Sequence, residues 1–343
     1  MTVTLKDIAR ALDLSPATVS RALNGFPEVN AKTRARVTEQ ARQLGYRPNQ
    51  IARKLVGGHS GVVALVIPNA EHLVTDSTFF GVVAGISAAL TAHDMELMLH
   101  VAVGNDELAP YRRLISKGVV DGFIINTPRP NDPRIALLEE LNVTFVVHGR
   151  CSPDDAFAYF DIDNHHVSAA AVSLLCELGH RRIALLNGPK EHAFARERAR
   201  GLTETLAQFG LPPKAGMVFH GPLTETYGYL STLDALGGRK GPRPTALVCA
   251  SVQVAAGALR AISDKGLKVP EDISIVAHDD QEPQYASAEM TPALTVTNSP
   301  LTDACIPLAD LLRLQLKGNP DNLPLQRREK PPLIIRKSVA GAA

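Results

Sequence analysis

The sequence predicts a small all-α head followed by a larger α/β body made of two doubly wound parallel-sheet lobes. In the first sixty residues, helical periodicity and helix-capping residues dominate, whereas from Gly61 onward continuous apolar strands alternate with helices. Residues 1–60 contain ten Lys or Arg and four Asp or Glu, a net charge of +6, although the whole chain of 343 residues carries only +1. The remaining residues therefore carry about −5 by subtraction, a split typical of a basic nucleic-acid-binding module joined to a different domain.

The head begins with two short helices separated by a tight turn. Thr4 and Asp7 are expected to cap the first helix, and Ser15 with Pro16 begins the second. Asn30 is expected to begin a third helix, which closes a small apolar core. A helix-turn-helix of this kind places its second helix in the major groove of DNA. Taken alone, the pair is equally compatible with two surface helices of an ordinary domain.

The third helix carries Lys32, Arg34 and Arg36 in its first turns. Cations at that end oppose the helix dipole, and phosphates would supply the opposite charge. The following segment, YRPNQIARKLVGG, can form a helix of about eight residues, too short to be stable alone in water. Ile51 and Leu55 would be i,i+4 neighbours on it with little around them for burial. The alternative is a plain linker with incidental apolar residues.

The segments TLKDIARALDLSPATVSRALNG, VNAKTRARV and LGYRPNQIARKL resemble the head and hinge of the LacI/GalR family of bacterial transcription regulators. The resemblance implies a helix-turn-helix DNA-binding head at 1–48 and a hinge helix with linker at 49–60. In that family, paired hinge helices of a dimer enter the minor groove, where a leucine wedges open the central base step. Leu55 matches that leucine, and Ala52 and Arg53 match its helix companions.

The family's base-reading positions fall on Pro16, Ala17 and Arg21. Only Arg21 among them can hydrogen-bond a base edge, and we expect it to read guanine. Phosphate contacts, which orient the head without reading sequence, are predicted for Thr18, Ser20, Asn30, Thr33, Arg34 and Tyr46. The predicted DNA interface is completed by Thr4, Ser15, Asn24 and Asn49.

Composition fits an ordinary globular protein, with 45% hydrophobic and 21% charged residues. The start of the chain has no apolar signal region, and no segment approaches the roughly 18 apolar residues of a membrane span, so we expect a cytoplasmic protein without a membrane segment. The four cysteines are scattered without a Cys-x-x-Cys pair. They predict reduced thiols and no zinc site. Neither a metal nor a cofactor is predicted.

The body, residues 61–343, contains two successive strand–helix series, which predict two lobes with a ligand cleft at the carboxyl ends of their strands. The segments VDGFII, DIDNHHVSAAAVSLLCELGHRRIALLNGP and ALRAISDKGLKVPEDISIVAHDD resemble the periplasmic-binding-protein-like effector domain of the same family. The resemblance implies an effector-binding and dimerisation domain in which the chain crosses between lobes three times. We place the crossings near 161–164, 291–292 and 323–326.

The strand ends and the resemblance together predict the effector contacts: Asp76, Phe80, Asn126, His148, Arg150, Arg198, Ser251 and Asp279. Arg198 matches the family's effector-clasping arginine, and Asp279 matches an acid that accepts ligand hydroxyls. Phe80 is expected to face a sugar ring, although Phe79 could take that place or pack into the core.

Other assignments also have alternatives. His148 and His278 could be satisfied polar residues at strand ends, and Arg150 could bridge the lobes instead of touching ligand. Asp279 and Asp280 could cap the following helix. Ser251 and Val252 stand where many relatives have an Asn-Asp pair, so no pentose or galactoside specificity transfers directly. The HGR, CAS and AHDD strand ends are similar to those of a glucoside-type subgroup.

These observations predict a sequence-specific transcriptional regulator, expected to be a repressor, controlled by a small carbohydrate bound between the lobes. Two half-sites and two hinge helices require a homodimer on a pseudo-palindromic double-stranded operator. The alternative is a sugar-binding protein or sugar-acting enzyme with an appended head, with Asp279, Asp280 and His148 as candidate acid/base groups. The sequence contains no GxxxxGK[ST], HExxH or GxSxG motif, so no enzyme is predicted.

Overall fold

The structure is a computed structural model that describes residues 3–23, 26–46, 60–67, 77–152, 154–211, 216–238, 241–279, 281, 284–319, 323 and 325–342. Its contacts divide the chain into two units, Met1–Ser60 and Gly61–Ala343. The first unit contains the predicted head, and the second contains the predicted two-lobed body. Each is described by itself below.

Within residues 3–23 and 26–46, the head forms three helices: α1 Leu5–Leu12, α2 Pro16–Leu23 and α3 Ala31–Gln43. Each begins at the cap predicted from the sequence. The backbone N–H of Thr4 donates to the Asp7 carboxylate at 2.9 Å, the Ser15 hydroxyl accepts from the N–H of Thr18 at 3.1 Å, and the Asn30 side chain accepts from the N–H of Thr33 at 2.8 Å. These local hydrogen bonds satisfy backbone donors that the helix itself leaves unpaired.

A small apolar core holds the three helices together. Its buried members come from all three helices and from the loop before α3: Ile8, Ala9, Val19, Ala22, Val29, Val37 and Ala41. The inner face of α2 is therefore anchored by Val19 and Ala22, which are 0% and 2% exposed. The opposite face of α2 is exposed to solvent.

The body alternates strands and helices, as predicted. Its first half contains β1 Val62–Ile67, α4 Ser77–Thr91, β2 Glu96–Val101, α5 Ala109–Ser116, β3 Gly122–Asn126, α6 Pro133–Glu140, β4 Thr144–His148, β5 Tyr159–Ile162, α7 Asn164–Glu177, β6 Ile183–Asn187 and α8 Ala193–Gln208. Its second half contains β7 Gly216–His220, α9 Glu225–Leu236, β8 Ala246–Cys249, α10 Val252–Asp264, β9 Ser274–Asp279, β10 Thr295–Asn298, a 3-10 turn Leu301–Ala304, α11 Cys305–Leu316, β11 Gln326–Glu329 and β12 Leu333–Ile334.

The strands form two six-stranded sheets, one in each lobe. The first sheet has the order β11-β5-β4-β3-β1-β2, and the second has the order β12-β10-β9-β8-β6-β7. All pairs are parallel except β12, which runs antiparallel to β10. The central strands are almost entirely buried because helices cover both faces of each sheet. The predicted fold class of two doubly wound lobes is confirmed.

The chain crosses between the lobes three times, and two crossings differ from the predicted positions. The first lies between β5 and α7, within the predicted segment 161–164. The second follows Asn298, because β10 pairs with β9 and so belongs to the second lobe. The third follows Glu329, because β11 pairs with β5 in the first lobe. Both strands are short, and only their long-range pairing decides which lobe they join.

Two pairs of helices in the second lobe approach backbone to backbone. A Cβ at Gly201 of α8 would overlap the carbonyl oxygen of His165 in α7, and a Cβ at Gly257 of α10 would overlap the carbonyl oxygen of Glu225 in α9. The absence of a side chain at Gly201 therefore lets α8 lie directly against α7. This contact fixes the helix that carries Arg198.

None of the helices in the described ranges has both the length and the apolar composition of a bilayer span. The four cysteines are unpaired thiols. Among the described residues, no group of three or more His, Cys, Asp or Glu side chains is arranged to hold a metal ion.

Candidate nucleic-acid interface and ligand cavity

Helix α2 presents the predicted base-reading residues on the outer face of the head. Pro16, Ala17 and Arg21 are exposed, whereas Ser20 is half-buried. The Arg21 side chain makes no hydrogen bond or ion pair with any residue that the structure describes. Its guanidinium group can therefore reach a base edge without first breaking such a contact.

Several residues that are predicted to contact DNA also make contacts within the head. The Ser15 hydroxyl lies 2.8 Å from the Thr18 hydroxyl, and Asn30 holds the N–H of Thr33. Tyr46 packs against the apolar core. The helix N-termini that these caps organise present backbone N–H groups, a common arrangement for phosphate contact.

Arg34 has a role that the sequence did not predict. Its Nη2 donates to the carbonyl oxygens of Phe26 and Val29, at 2.9 and 3.2 Å. The guanidinium group thus ties the loop before α3 to that helix. In the described head, Arg34 is an internal contact between loop and helix. Its predicted phosphate contact stays a prediction.

Six predicted site residues lie outside the described residues: Asn24, Asn49, Ala52, Arg53, Leu55 and Asp76. The candidate hinge is included among these, so its predicted helix and its contact with the minor groove stay predictions.

A cavity of about 270 Å³ lies between the two lobes, at the carboxyl ends of their strands. Four of the predicted effector contacts line it: Asn126, His148, Arg150 and Arg198. Asn126 and His148 end two neighbouring strands of the first sheet, and Arg150 follows shortly after His148. Arg198 reaches the cavity from α8 in the second lobe. Parallel strands place their ends together, which explains why these distant residues meet.

Arg198 is held in place by acceptors of the second lobe. Its Nε donates to the Asn164 side-chain oxygen at 2.9 Å, and its Nη1 donates to the carbonyl oxygen of Ala250 at 2.7 Å. The guanidinium carbon lies 5.1 Å from the centre of the Phe194 ring. Arg198 is only 5% exposed, so these contacts fix it at the cavity wall.

Arg150 bridges the lobes, which is the alternative that the sequence left open. Its Nε donates to Asp161 of β5 at 2.9 Å, and its Nη2 lies 3.6 Å from the carboxylate of Glu197 in α8. Asp161 belongs to the first lobe and Glu197 to the second. Burial raises the pKa of Asp161 to about 6, although the charges of Arg150 and Arg328 oppose the increase.

Aromatic and apolar side chains supply the remaining walls. Phe194 and Phe160 line the cavity from opposite lobes, together with Val82 and Leu223. The ring of His192 stacks on Phe194 with a centroid separation of 5.7 Å and an interplanar angle of 14°. An aromatic wall beside fixed hydrogen-bonding groups is typical of a small-molecule site.

Phe80, Ser251 and Asp279 are not among the residues that line this cavity. The Phe80 residue is 58% exposed on α4. The Ser251 hydroxyl caps α10 by accepting from the N–H of Val254 at 3.2 Å. The Asp279 carboxylate accepts hydrogen bonds from the Ser287 hydroxyl and from the N–H of Gln281. The structure therefore does not bring these three residues to the cavity, since local hydrogen bonds engage the two polar side chains and Phe80 lies at the surface. Their effector contacts stay predictions.

His278 matches the alternative of a satisfied polar residue, since its Nδ1 lies 3.0 Å from the Thr297 hydroxyl. Several residues that line the cavity were not predicted as ligand contacts, among them Asp161, Asn164, Phe194 and Glu197. The spacing could have indicated two of them. Phe194 lies one helical turn before Arg198, and Asn164 lies within the predicted first crossing.

Comparisons with known proteins cover both units. Residues 4–49 match the family described as bacterial regulatory proteins, lacI family, and residues 172–339 match the periplasmic binding protein-like domain. The HTH-type transcriptional regulator AglR of Rhizobium meliloti (strain 1021) is 41% identical, across 100% of this chain and 96% of that protein. The HTH-type transcriptional regulator RafR of Escherichia coli is 34% identical, across 87% of each chain.

Solved structures of transcription regulators are also similar to this chain. The Lac repressor dimer bound to operator and the anti-inducer ONPF has a TM-score of 0.79 and 27% identity, covering 99% of this chain and 100% of that one. The complex of the transcriptional regulator CelR with cellobiose has a TM-score of 0.71 and 28% identity, covering 98% and 99%. The helix-turn-helix head, the two-lobed body and the near-complete coverage show that the chain belongs to the LacI family of bacterial regulatory proteins and is a DNA-binding transcriptional regulator.

Proposed function

We propose that this regulator is a cytoplasmic homodimeric repressor whose operator affinity is controlled by an uncharged sugar bound between the lobes. The observation that carries the proposal is the inter-lobe cavity, where Arg150 and Arg198 meet an aromatic wall. The complex of the similar regulator CelR with cellobiose supports a sugar. The operator-bound Lac repressor dimer supports a two-fold dimer on DNA.

The charges that line the cavity favour an uncharged ligand. Among the described residues, the lining contains two arginines, Arg150 and Arg198, and two carboxylates, Asp161 and Glu197. Arg150 contacts both carboxylates, and Arg198 is bonded to an amide and a carbonyl oxygen. Sugar hydroxyls both donate and accept, so they can join such a network, whereas a phosphate would add negative charge beside two carboxylates.

The effector proposal is tested by a thermal-shift series followed by DNA binding. Glucose, maltose, cellobiose, raffinose and glucose 6-phosphate are added in turn, and we expect an uncharged sugar to raise the Tm and change operator affinity. The variant R198M is expected to lose the Tm shift. The matched control R196M lies on the same helix at an exposed position and is expected to keep it. A sugar that raises Tm without changing DNA affinity would contradict the allosteric part, and a response only to glucose 6-phosphate would contradict the uncharged ligand.

The DNA-binding proposal assigns direct base reading to Arg21. The operator is first selected from random-sequence DNA by the wild-type protein. We expect R21A to lose preference for that operator while non-specific binding persists, because phosphate contacts supply affinity without sequence information. R36A removes an exposed cation from α3 and is expected to weaken all DNA alike. Unchanged sequence preference in R21A would overturn the assignment.

We also propose that the hinge residues Ala52, Arg53 and Leu55 enter the minor groove as a paired helix. L55A is then expected to weaken the selected operator more than non-specific DNA, because it removes the wedge. An equal loss of affinity for the selected operator and for non-specific DNA would contradict the wedge role of Leu55.

The similar proteins are transcriptional regulators. We therefore expect no enzymatic turnover when the five sugars are incubated with the protein and the products are analysed.

A further inference from the structure

A continuous chain of buried hydrogen bonds crosses the cavity floor from one lobe to the other. Arg150 Nε donates to Asp161 Oδ2 at 2.9 Å, Asn164 Nδ2 donates to Asp161 Oδ1 at 3.2 Å, and Arg198 Nε donates to Asn164 Oδ1 at 2.9 Å. Each of these four residues is no more than 9% exposed. We call them the polar relay.

The lobe boundary divides the polar relay between Asp161 and Asn164. Asp161 lies in β5 of the first sheet, whereas Asn164 is the first residue of α7 in the second lobe. Asp163, which lies between β5 and α7, is also anchored, because its N–H donates to the carbonyl oxygen of Glu329 at 2.6 Å and its carboxylate pairs with Arg328. A rotation of the lobes about this crossing therefore has to change the Asp161–Asn164 hydrogen bond.

We propose that Asn164 is a positioning residue that couples lobe orientation to the effector cavity. Its amide sets the separation between Arg150 in the first lobe and Arg198 in the second. A sugar that contacts both guanidinium groups then binds the two lobe orientations unequally, which is what a shift in operator affinity requires. This inference rests on the proposed control by a sugar.

The chemistry of the amide explains why asparagine suits this position. It donates to a carboxylate on one side and accepts from a guanidinium group on the other. In N164D, the new carboxylate at position 164 would still accept a hydrogen bond from Arg198. It would, however, have no N–H group to donate to the Asp161 carboxylate, so two acceptors would face each other. In the double variant D161N/N164D, the amide at position 161 can accept from Arg150 and donate to the carboxylate at position 164. Every hydrogen bond of the polar relay can then form again.

The test compares wild type, D161N, N164D and D161N/N164D, with maltose and cellobiose as probes and the selected operator as DNA. The measured quantity is the ratio of operator Kd values with and without saturating sugar. We expect each single variant to reduce the wild-type ratio by about tenfold, since a buried hydrogen bond to a charged group is lost. The double variant is expected to recover most of the ratio. Wild-type ratios in both single variants, or additive losses in the double variant, would overturn the inference.

The control N126A changes another asparagine of the same cavity that lies outside the polar relay. It is expected to weaken sugar binding but to keep the ratio at saturation. If neither sugar affects wild-type DNA binding, the proposed function fails with these probes. The role of the polar relay is then tested by amide hydrogen exchange of residues 159–166. We expect the exchange rate to be higher in each single variant and to return to the wild-type value in the double variant. If a single variant does not fold, recovery of a folded protein in the double variant is expected, and failure of that recovery overturns the inference.

Discussion

The variant D161N is expected to remove a specific pH dependence from the stability of the body. Burial raises the pKa of Asp161 from 3.8 to about 6, against the opposing charge of Arg150. The folded chain therefore holds this proton more tightly than the unfolded chain does. The resulting stabilisation is complete below about pH 4 and is lost as the pH rises through about 6.

The magnitude follows from the two pKa values. Linkage between 3.8 and about 6 gives a loss of about 1.3 kcal/mol in the free energy of unfolding between pH 5 and pH 7, because each pKa unit corresponds to about 1.36 kcal/mol. The Asp161 residue is only 6% exposed, so solvent screening reduces this figure little. An asparagine at this position does not titrate, and the loss is absent from D161N.

Urea unfolding of wild type and D161N at pH 5, 6 and 7, followed by far-UV circular dichroism, measures this effect. The free energy of unfolding of wild type minus that of D161N is expected to fall by about 1.3 kcal/mol across the series. D163N is the matched control. Burial raises the pKa of Asp163, but the His166 N–H and Arg328 outweigh burial and leave that pKa below its ordinary value. The D163N difference is therefore expected to be flat in this range, and a flat or rising difference for D161N would refute the reasoning.

Two further predictions concern packing. In G257A, the new methyl group would overlap the Glu225 carbonyl oxygen, and we expect a net loss of about 1–3 kcal/mol in unfolding free energy despite better helix propensity. In the control G81A, no described residue lies within 4 Å of the new methyl group, so urea unfolding should show a gain of about 0.5–1 kcal/mol. Equal effects of the two variants would contradict the packing argument. R34A is expected to speed amide exchange in residues 26–37 of the full chain by about tenfold, because two carbonyl oxygens lose their donor. R36A removes the same charge without such a contact, and faster exchange there as well would count against the internal role of Arg34.

The features that the sequence predicts best are those that depend on residues close together in the chain. The caps at Thr4, Ser15 and Asn30 form as expected, because each depends on a side chain and a backbone group three residues apart. The alternation of apolar strands and helices likewise predicts two doubly wound lobes, since burial on both faces leaves its pattern in every central strand.

Two kinds of feature are poorly predicted from the sequence: the pairing of strands far apart in the chain, and the choice of a polar side chain between a ligand and a neighbouring protein group. No local feature assigns β10 or β11 to a lobe, and only their partners in the sheets fix the second and third crossings. Ser251 and Asp279 have the right chemistry for a ligand, but a helix cap and neighbouring donors engage them. Asn164 was missed because its importance depends on Asp161 and Arg198, which meet it only in the folded body.

The position of α11 and β11 in the first lobe also affects how the chain is made. Helix α11 contributes Leu308, Leu311 and Leu312 to the same core as Val63, yet it follows every strand of the second sheet except β12 in sequence. At about 5–20 residues per second, a ribosome needs roughly 8–33 s to extend the chain from the end of β5 to the end of β11. Throughout that interval one face of the first sheet is covered by α4 but lacks α11. The first lobe therefore completes its sheet and its core only after almost all of the second lobe has been synthesised, because residues 61–162 lack both α11 and β11.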